Sequence, residues 1–250
     1  MMKKQLLWTM VITAIFLSSG IADDQNPCAN IDLAWLGRHS PIPPGRIVSK
    51  HAMGQLCEVI LKLGNEYVPV FAGDDFIIAG EMLKEKKQLT RARIDELKAE
   101  GFKNLVPQLD SMAAITYRPA EPKNRSVYMI TDPLCPYCDM AGETVMALAD
   151  TYGATVKAVF YSVHGKQGEE KSMEAVCRKF TLGQYAEKEW KALPFDESHR
   201  CPEGEKLIRA SREAVGKAGI AGVPVFIFDD GRFVSGADMA AVEKILKDRN

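Results

Sequence analysis

Apolar positions change period several times along the chain, and each change marks an element. Two short apolar runs, Tyr67–Phe71 and Phe76–Ile78, flank Gly73-Asp74-Asp75. Runs of that length around a Gly/Asp turn predict a β-hairpin. Pro69, inside the first run, predicts an edge position or a bulge. Over residues 89–110, Leu89, Ile94, Leu97 and Phe102 recur at helical spacing among many charges, with Thr90 as the candidate N-cap. That pattern predicts a largely solvated linker helix. Upstream, Met53, Leu56, Val59, Ile60 and Leu63 lie close to a 3.6-residue period, but β-branched Val59-Ile60 fits a strand equally well. Residues 23–44 are loop-rich, with room for one short helix in "ANIDLAWLG", before Gly45.

The second half alternates strand and helix. "SVYMIT" (126–131) reads as a short buried strand, and residues 139–153 as a helix with Val145, Leu148 and Ala149 on one side. "ATVKAVFYSV" (154–163) is a second strand. Residues 169–217 are helical in pattern, broken near Leu193-Pro194-Phe195 and again at Pro202-Glu203-Gly204. "GVPVFIFDDGRFVSG" (222–236) predicts strand, Asp-Gly turn and strand, and Met239, Val242, Ile245 and Leu246 form the apolar side of a closing helix. The expected organisation is an α/β chain in two units, 23–88 and 111–250, joined by the helix at 89–110.

The N-terminus bears on how the cysteines are read. Lys3 and Lys4 precede an apolar run from Leu6 to Leu17, and small residues follow, with Gly20 and Ala22 at −3 and −1 of a cleavage point after Ala22. This is the pattern of a secretory signal over 1–22. The run is shorter than the roughly 20 residues a spanning helix needs. Removing Lys3 and Lys4 from the 32 basic residues leaves 30 against 33 acidic ones, a net charge of −3. That balance gives no reason to expect nucleic acid or an anionic membrane surface as a partner. About 228 of the 250 residues remain after cleavage, comfortable for two domains.

Export places the six cysteines, 28, 57, 135, 138, 177 and 201, where thiols pair. Six cysteines allow fifteen pairings, so sequence cannot fix connectivity; their order favours 28 with 57, 135 with 138, and 177 with 201. The first and last pairs would close loops of about 25 to 30 residues, each worth roughly 3.5 kcal/mol as structural staples in the loop-entropy model. One of them could instead be a reactive pair.

The stretch "TDPLCPYCDM" (131–140) carries the chemistry. Three readings compete for Cys135 and Cys138: half a zinc site, a staple, or a redox pair. Zinc needs two further ligands at sensible spacing, whereas His39, His51, His164 and His199 are scattered and Cys177 and Cys201 stand alone. A staple across four residues restrains the unfolded chain little. The redox reading has a mechanism. Cys135 falls where strand becomes helix, and Pro136 suits the first helical position, where a missing N–H costs nothing. Cys135 is then the N-cap, with helix N–H groups aimed at its sulfur and the dipole favouring thiolate. Cysteines in such motifs have pKa values of roughly 3.5 to 7 rather than about 8.5. A two-unit shift is roughly 2.7 kcal/mol, enough to make thiolate dominant near neutral pH. Thiolate is the attacking species in disulfide exchange. Cys138, one turn further in, would be more buried and would resolve the mixed disulfide. Pro136 and Tyr137 tune the motif. No cofactor or metal is expected.

The order strand, CxxC, helix, with a late "GVP" before another strand, resembles the thioredoxin fold. The hairpin "YVPVFAGDDFIIAGEML", the linker helix, "AAITYRP", "TDPLCPYC", Cys177/Cys201 and "GVPVFIFDDGRFVSG" together resemble the periplasmic disulfide isomerases of the DsbC/DsbG kind. The resemblance implies a thioredoxin-like catalytic domain over 111–250 with a helical insertion at about 165–217. It also implies a small cystatin-like α+β domain at 23–88 that forms homodimers. Pro224 would be cis beside Cys135, with Val223 offering backbone groups to a substrate strand. Implied partners are unfolded or misoxidised secreted proteins and a membrane thiol donor of the DsbD type. Two departures stand out. Val223 replaces the threonine usual in these isomerases, as in oxidases of the DsbA kind, so oxidase activity and redox-independent chaperoning stay open. Asp139 stands where such chains carry a basic residue, and a carboxylate there would raise a nearby thiol pKa.

Overall fold

In the computed structural model, described for residues 26–248 except 42 and 44, two sheets are joined by one long helix. The cleavage signal expected over 1–22 lies outside the described residues. The first unit comprises helix α1 (Leu33–His39) and strands β1 (Arg46–Met53), β2 (Leu56–Leu63), β3 (Glu66–Ala72) and β4 (Ile77–Ala79). The strands pair antiparallel in the order β1-β2-β3-β4. A two-stranded ribbon, β5 (Leu83–Lys84) with β6 (Lys87–Gln88), leads into α2 (Leu89–Ser111).

The helix-or-strand ambiguity around residue 59 resolves as β2, and the physical reason is burial on both faces. Cys57, Val59 and Leu61 pack with Cys28, Ile31, Trp35 and Leu36 on the α1 side. Alternate residues point the other way, and Glu58 reaches α2, where its buried carboxylate accepts from Thr90 Oγ1 at 3.0 Å and pairs with Arg93. A strand covered on both sides shows a continuous apolar run, not an alternation. The loop-rich region before it is thus part of this unit, since Cys28 is bonded to Cys57.

Two local expectations are corrected here. Thr90 is not the N-cap of α2: Gln88 holds that position. Thr90 is fully buried, donating to Glu58 and accepting from the Met82 N–H at 3.0 Å. Pro69 is not on an edge strand, because β3 lies between β2 and β4. Its carbonyl accepts from Gly80 N at 3.4 Å, just past the last β3–β4 pair at Val70↔Ala79. The ring nitrogen faces the same side as that carbonyl, beyond the end of the ladder, so no strand hydrogen bond is lost.

The second unit has β7 (Ile115–Tyr117), β8 (Ser126–Thr131), α3 (Pro136–Tyr152), β9 (Thr155–Phe160), α4 (Gly165–Cys177), α5 (Leu182–Ala186), α6 (Glu189–Ala192), α7 (Pro202–Lys217), β10 (Val225–Phe228), β11 (Phe233–Ser235) and α8 (Met239–Lys247). Its sheet order is β11-β10-β8-β9-β7, parallel only between β8 and β9. One face is covered by α3, α8 and the α4–α6 part of the insertion, and the other by α2 and the end of α7 around Val215, giving two apolar layers. This is the expected α/β, thioredoxin-like arrangement with a helical insertion. Strand β7, three residues long, has no periodic signal of its own. The break expected at Pro202-Glu203-Gly204 falls just before it: α6 ends at Ala192, and α7 opens on Pro202 with Cys201 as N-cap, because proline fits where no intrahelical N–H is needed.

The second disulfide, Cys177–Cys201, joins the end of α4 to the start of α7. A Cβ at Gly204 would sit 2.6 Å from Cys177 Sγ, 3.0 Å from Met173 Cγ and 3.3 Å from Cys201 Sγ. Gly204→Ala is therefore expected to cost about 1–3 kcal/mol by overpacking. Urea denaturation checks this. The cost should shrink when both cysteines are alanine, because the obstructing sulfurs are then gone.

Candidate active site

The site is built where β8 runs out. Residues 127–131 of β8 are all buried, so the strand delivers the loop that follows from a rigid base. Asp132, itself buried, ties that loop down. One carboxylate oxygen accepts from Leu134 N at 2.8 Å; the other accepts from Val163 N at 2.7 Å and Ser162 Oγ at 3.1 Å, and meets His164 Nδ1 at 2.9 Å. The Asp132 carbonyl accepts from Cys135 N at 3.1 Å.

Cys135 is the N-cap of α3, and Pro136 opens the helix. The expected hydrogen bonds from helix N–H groups to its sulfur are absent among the described residues. Pro136 has no N–H, and those of Cys138 and Asp139 go to the Cys135 carbonyl at 3.0 and 3.2 Å. The sulfur instead turns across the site and donates to the carbonyl of Val223 at 3.6 Å. The Val223–Pro224 peptide bond is cis. The fold thus brings together Cys135, Cys138, Val223 and Pro224, from segments almost 90 residues apart in the chain. Pro136 and Tyr137 stand exposed at the rim.

Cys135 and Cys138 are both free thiols. Cys138 is fully buried. Burial pushes its thiol well up, and the neighbouring Cys135 sulfur adds to this; hydrogen bonds from the Asp132 backbone and the Thr131 hydroxyl oppose it. Cys135 is buried as well but less completely, at 5% exposed against 0% for Cys138.

Asp139 is not a lone carboxylate beside the thiols. Lys191, on α6 of the insertion and almost fully buried, forms an ion pair with it. This cation comes from 52 residues away in the chain. Sequence reading missed Asp132, Thr131 and Lys191. The first two lie in the quoted stretch; Lys191 has no local signal. The remaining singled-out cysteines lie apart from this dithiol, bonded as Cys28–Cys57 in the first sheet and Cys177–Cys201 between α4 and α7. Among the described residues no group of three or more His, Cys, Asp or Glu is arranged to hold a metal ion.

Two depressions flank the dithiol. One, of about 630 Å³, runs from Val223 and Pro224 to Phe102 of α2 and Asn65 and Tyr67 at the β2–β3 turn. The other, of about 440 Å³, is lined by Leu134, Lys191, Leu193 and Phe195. Tyr137, Met140, Val163 and Leu193 expose large apolar side chains.

Dithiol, cis-proline and sheet order define a thioredoxin-class site. The chain belongs to the thioredoxin-like domain family, whose model matches residues 112–249. Similar solved structures include a linker-deletion variant of Proteus mirabilis ScsC, 18% identical, at a TM-score of 0.53 over 64% of this chain and 85% of that one. The thiol-disulfide exchange protein alpha-DsbA2 from Wolbachia pipientis is 16% identical, at a TM-score of 0.50 over 63% of this chain and 98% of its own. At such identities the likeness is one of fold. No curated protein matches the chain.

Proposed function

We propose that this protein is a thiol–disulfide oxidoreductase that works as a disulfide isomerase or reductase on secreted proteins in the bacterial periplasm. The observation that carries this reading is the meeting of Cys135 Sγ with the Val223 carbonyl of a cis Val-Pro bond, above a fully buried Cys138. In the proposed reaction Cys135, as thiolate, attacks a substrate disulfide and forms a mixed disulfide. An extended substrate segment pairs with the backbone at Val223, which holds the scissile S–S bond over Cys135. Cys138 then attacks Cys135 Sγ, forming the 135–138 disulfide and releasing the substrate as thiol. For isomerisation the substrate's own second thiol completes the exchange instead.

Three further features support the setting. The signal-like pattern of residues 1–22 and the two non-catalytic disulfides fit an oxidising compartment. Clients would be unfolded or misoxidised proteins, gripped by the apolar rim of Tyr137, Met140, Val163 and Leu193. A homodimer through the first sheet would cover the exposed Phe76, Ile78 and Leu83. A membrane thiol donor of the DsbD type would keep the dithiol reduced. The second reading, a disulfide oxidase, is favoured by Val223 before the cis-proline.

Trapping tests the reaction. With Cys138→Ala, mixed disulfides between Cys135 and client proteins should accumulate in cells and vanish on adding dithiothreitol. An absence of such adducts would defeat the proposal. The in-cell state of the wild-type pair separates the two readings: reduced for an isomerase, disulfide for an oxidase.

A further inference from the structure

The helical insertion carries a cation to the first turn of α3. Asp139 N donates to the Cys135 carbonyl at 3.2 Å, so Asp139 stands one helical turn beyond the nucleophile. Residues four apart on a helix share a face, and helical side chains lean toward the N-terminus. The Asp139 carboxylate is therefore a negative charge on the Cys135 side of α3. Alone, it would repel a thiolate and any acidic group brought up with a client disulfide. Lys191 Nζ is ion-paired with it. The ammonium also lies 4.5 Å from the centroid of the Tyr185 ring and 5.8 Å from that of Trp190, within cation–π range. Helix α4 pins the residue before it: Lys171 Nζ donates to the Trp190 carbonyl at 2.8 Å and to Glu174 at 2.7 Å. Phe180 meets the Trp190 ring edge-on at 5.0 Å. Helix α6 is only four residues long, so these neighbours hold it, and Lys191 with it, in place.

We propose that Lys191 and Asp139 form a charge-cancelling pair that determines which client disulfides Cys135 accepts, opening the site to disulfides in acidic as well as neutral surroundings. This rests on the thiol–disulfide reading above and adds the charge of the substrate to it. The two residues take no part in bond making; they set the charge at the place where bonds are made. Lys191 lines the depression of about 440 Å³ together with Leu134, the residue before Cys135. A client segment lying there meets the ion pair and the nucleophile together.

The side chains of Lys191 and Asp139 are 7% and 21% exposed. Little water lies between these charges and the site, and Coulomb interactions there exceed those in bulk solvent. The other charged groups around the depression and the dithiol have partners of their own. Glu170 pairs with Lys166 at 3.4 Å and Lys171 with Glu174 at 2.7 Å, both within α4. Asp132 directs its carboxylate to Val163 N and His164. Removing Lys191 therefore leaves one uncancelled negative charge beside the nucleophile. Removing Lys191 and the Asp139 charge together makes the place neutral again.

The test uses the full chain, with Cys135 and Cys138 reduced and the other two disulfides intact, and two probes followed by stopped-flow absorbance. Dithiobis(nitrobenzoate) carries two carboxylates; dithiodipyridine is neutral. With either, the Cys135 sulfur bonds one half of the probe, the probe's S–S bond breaks, and the other half leaves with the electron pair as a coloured product. The ratio of first-release rates, anionic probe over neutral, cancels any general loss of reactivity. Lys191→Met should lower that ratio about fivefold, and less as salt is added. Asp139→Asn, which keeps the cation, should raise it about fivefold. The two substitutions together should return it to within about twofold of wild type. A ratio unchanged in either single variant, or a double variant outside that range, would overturn the proposal and leave the pair a structural tie alone. If Lys191→Met does not fold, Asp139→Asn decides alone, since it keeps the shape of the side chain. A wild-type chain that releases neither product would overturn the underlying thiol–disulfide reading instead, a distinct result.

Discussion

Replacing Cys135 with serine is expected to lower disulfide exchange at least about a thousandfold, roughly 4 kcal/mol of barrier. The reason is chemical. Exchange needs a thiolate, and a serine hydroxyl neither ionises near neutral pH nor forms an S–S bond. The fold should survive, because Cys135 is in no disulfide and its sulfur makes one long contact, 3.6 Å to the Val223 carbonyl. Two assays on the same sample make the result informative: reduction of insulin disulfides, and suppression of aggregation of an unfolded protein. Loss of the first with retention of the second places the chemistry on this sulfur. If the serine variant reduced insulin at the wild-type rate, the site would be misassigned. If neither assay registered the wild-type chain, both the oxidoreductase and the chaperone readings would fail.

Removal of the Cys28–Cys57 disulfide is expected to unfold the first unit selectively. The bond closes a separation of 29 residues, worth about 3.5 kcal/mol in the loop-entropy model. That is a large share of what so small a unit can have, since little apolar surface is available to it. Cys57 is fully buried among Val59, Trp35 and Leu36, and the disulfide ties the segment carrying α1 to β2. Other ties are weaker: Lys50 Nζ donates to the carbonyls of Cys28 and Ile31 at 3.0 and 3.1 Å. In a Cys28→Ala, Cys57→Ala chain, calorimetry should show a separate low-temperature transition. The thioredoxin-like unit should melt as before, and the reactivity of Cys135 should be unchanged. A single transition at the original temperature would show that the staple contributes little.

Much of the architecture was legible because its signals are local. β8 coincides with "SVYMIT", and α3 begins at Pro136 as the N1 preference for proline requires. The β3–β4 hairpin follows from two apolar runs around Gly73-Asp74-Asp75. Misreadings cluster where neighbours distant in sequence override local pattern. Thr90 has the chemistry of a cap, but Glu58, from 32 residues away, claims its hydroxyl. β7 is three strand-favouring residues, Ile115–Tyr117, too short to show a period, and its pairing with β9 places it in the sheet.

By itself, the sequence determined the period of α2, β8, α3 and α8 and put Cys135 at a helix start with Cys138 one turn behind. Those properties depend on residues within a turn of one another, where backbone sterics and apolar spacing decide. Only the tertiary structure decided what each charge and hydroxyl meets: Lys191 on Asp139, Tyr185 on Thr131, and Val223 across Cys135. Such contacts form between segments tens of residues apart. They are set by how a buried sheet packs its helices, and burial then makes each polar group's partner a matter of necessity.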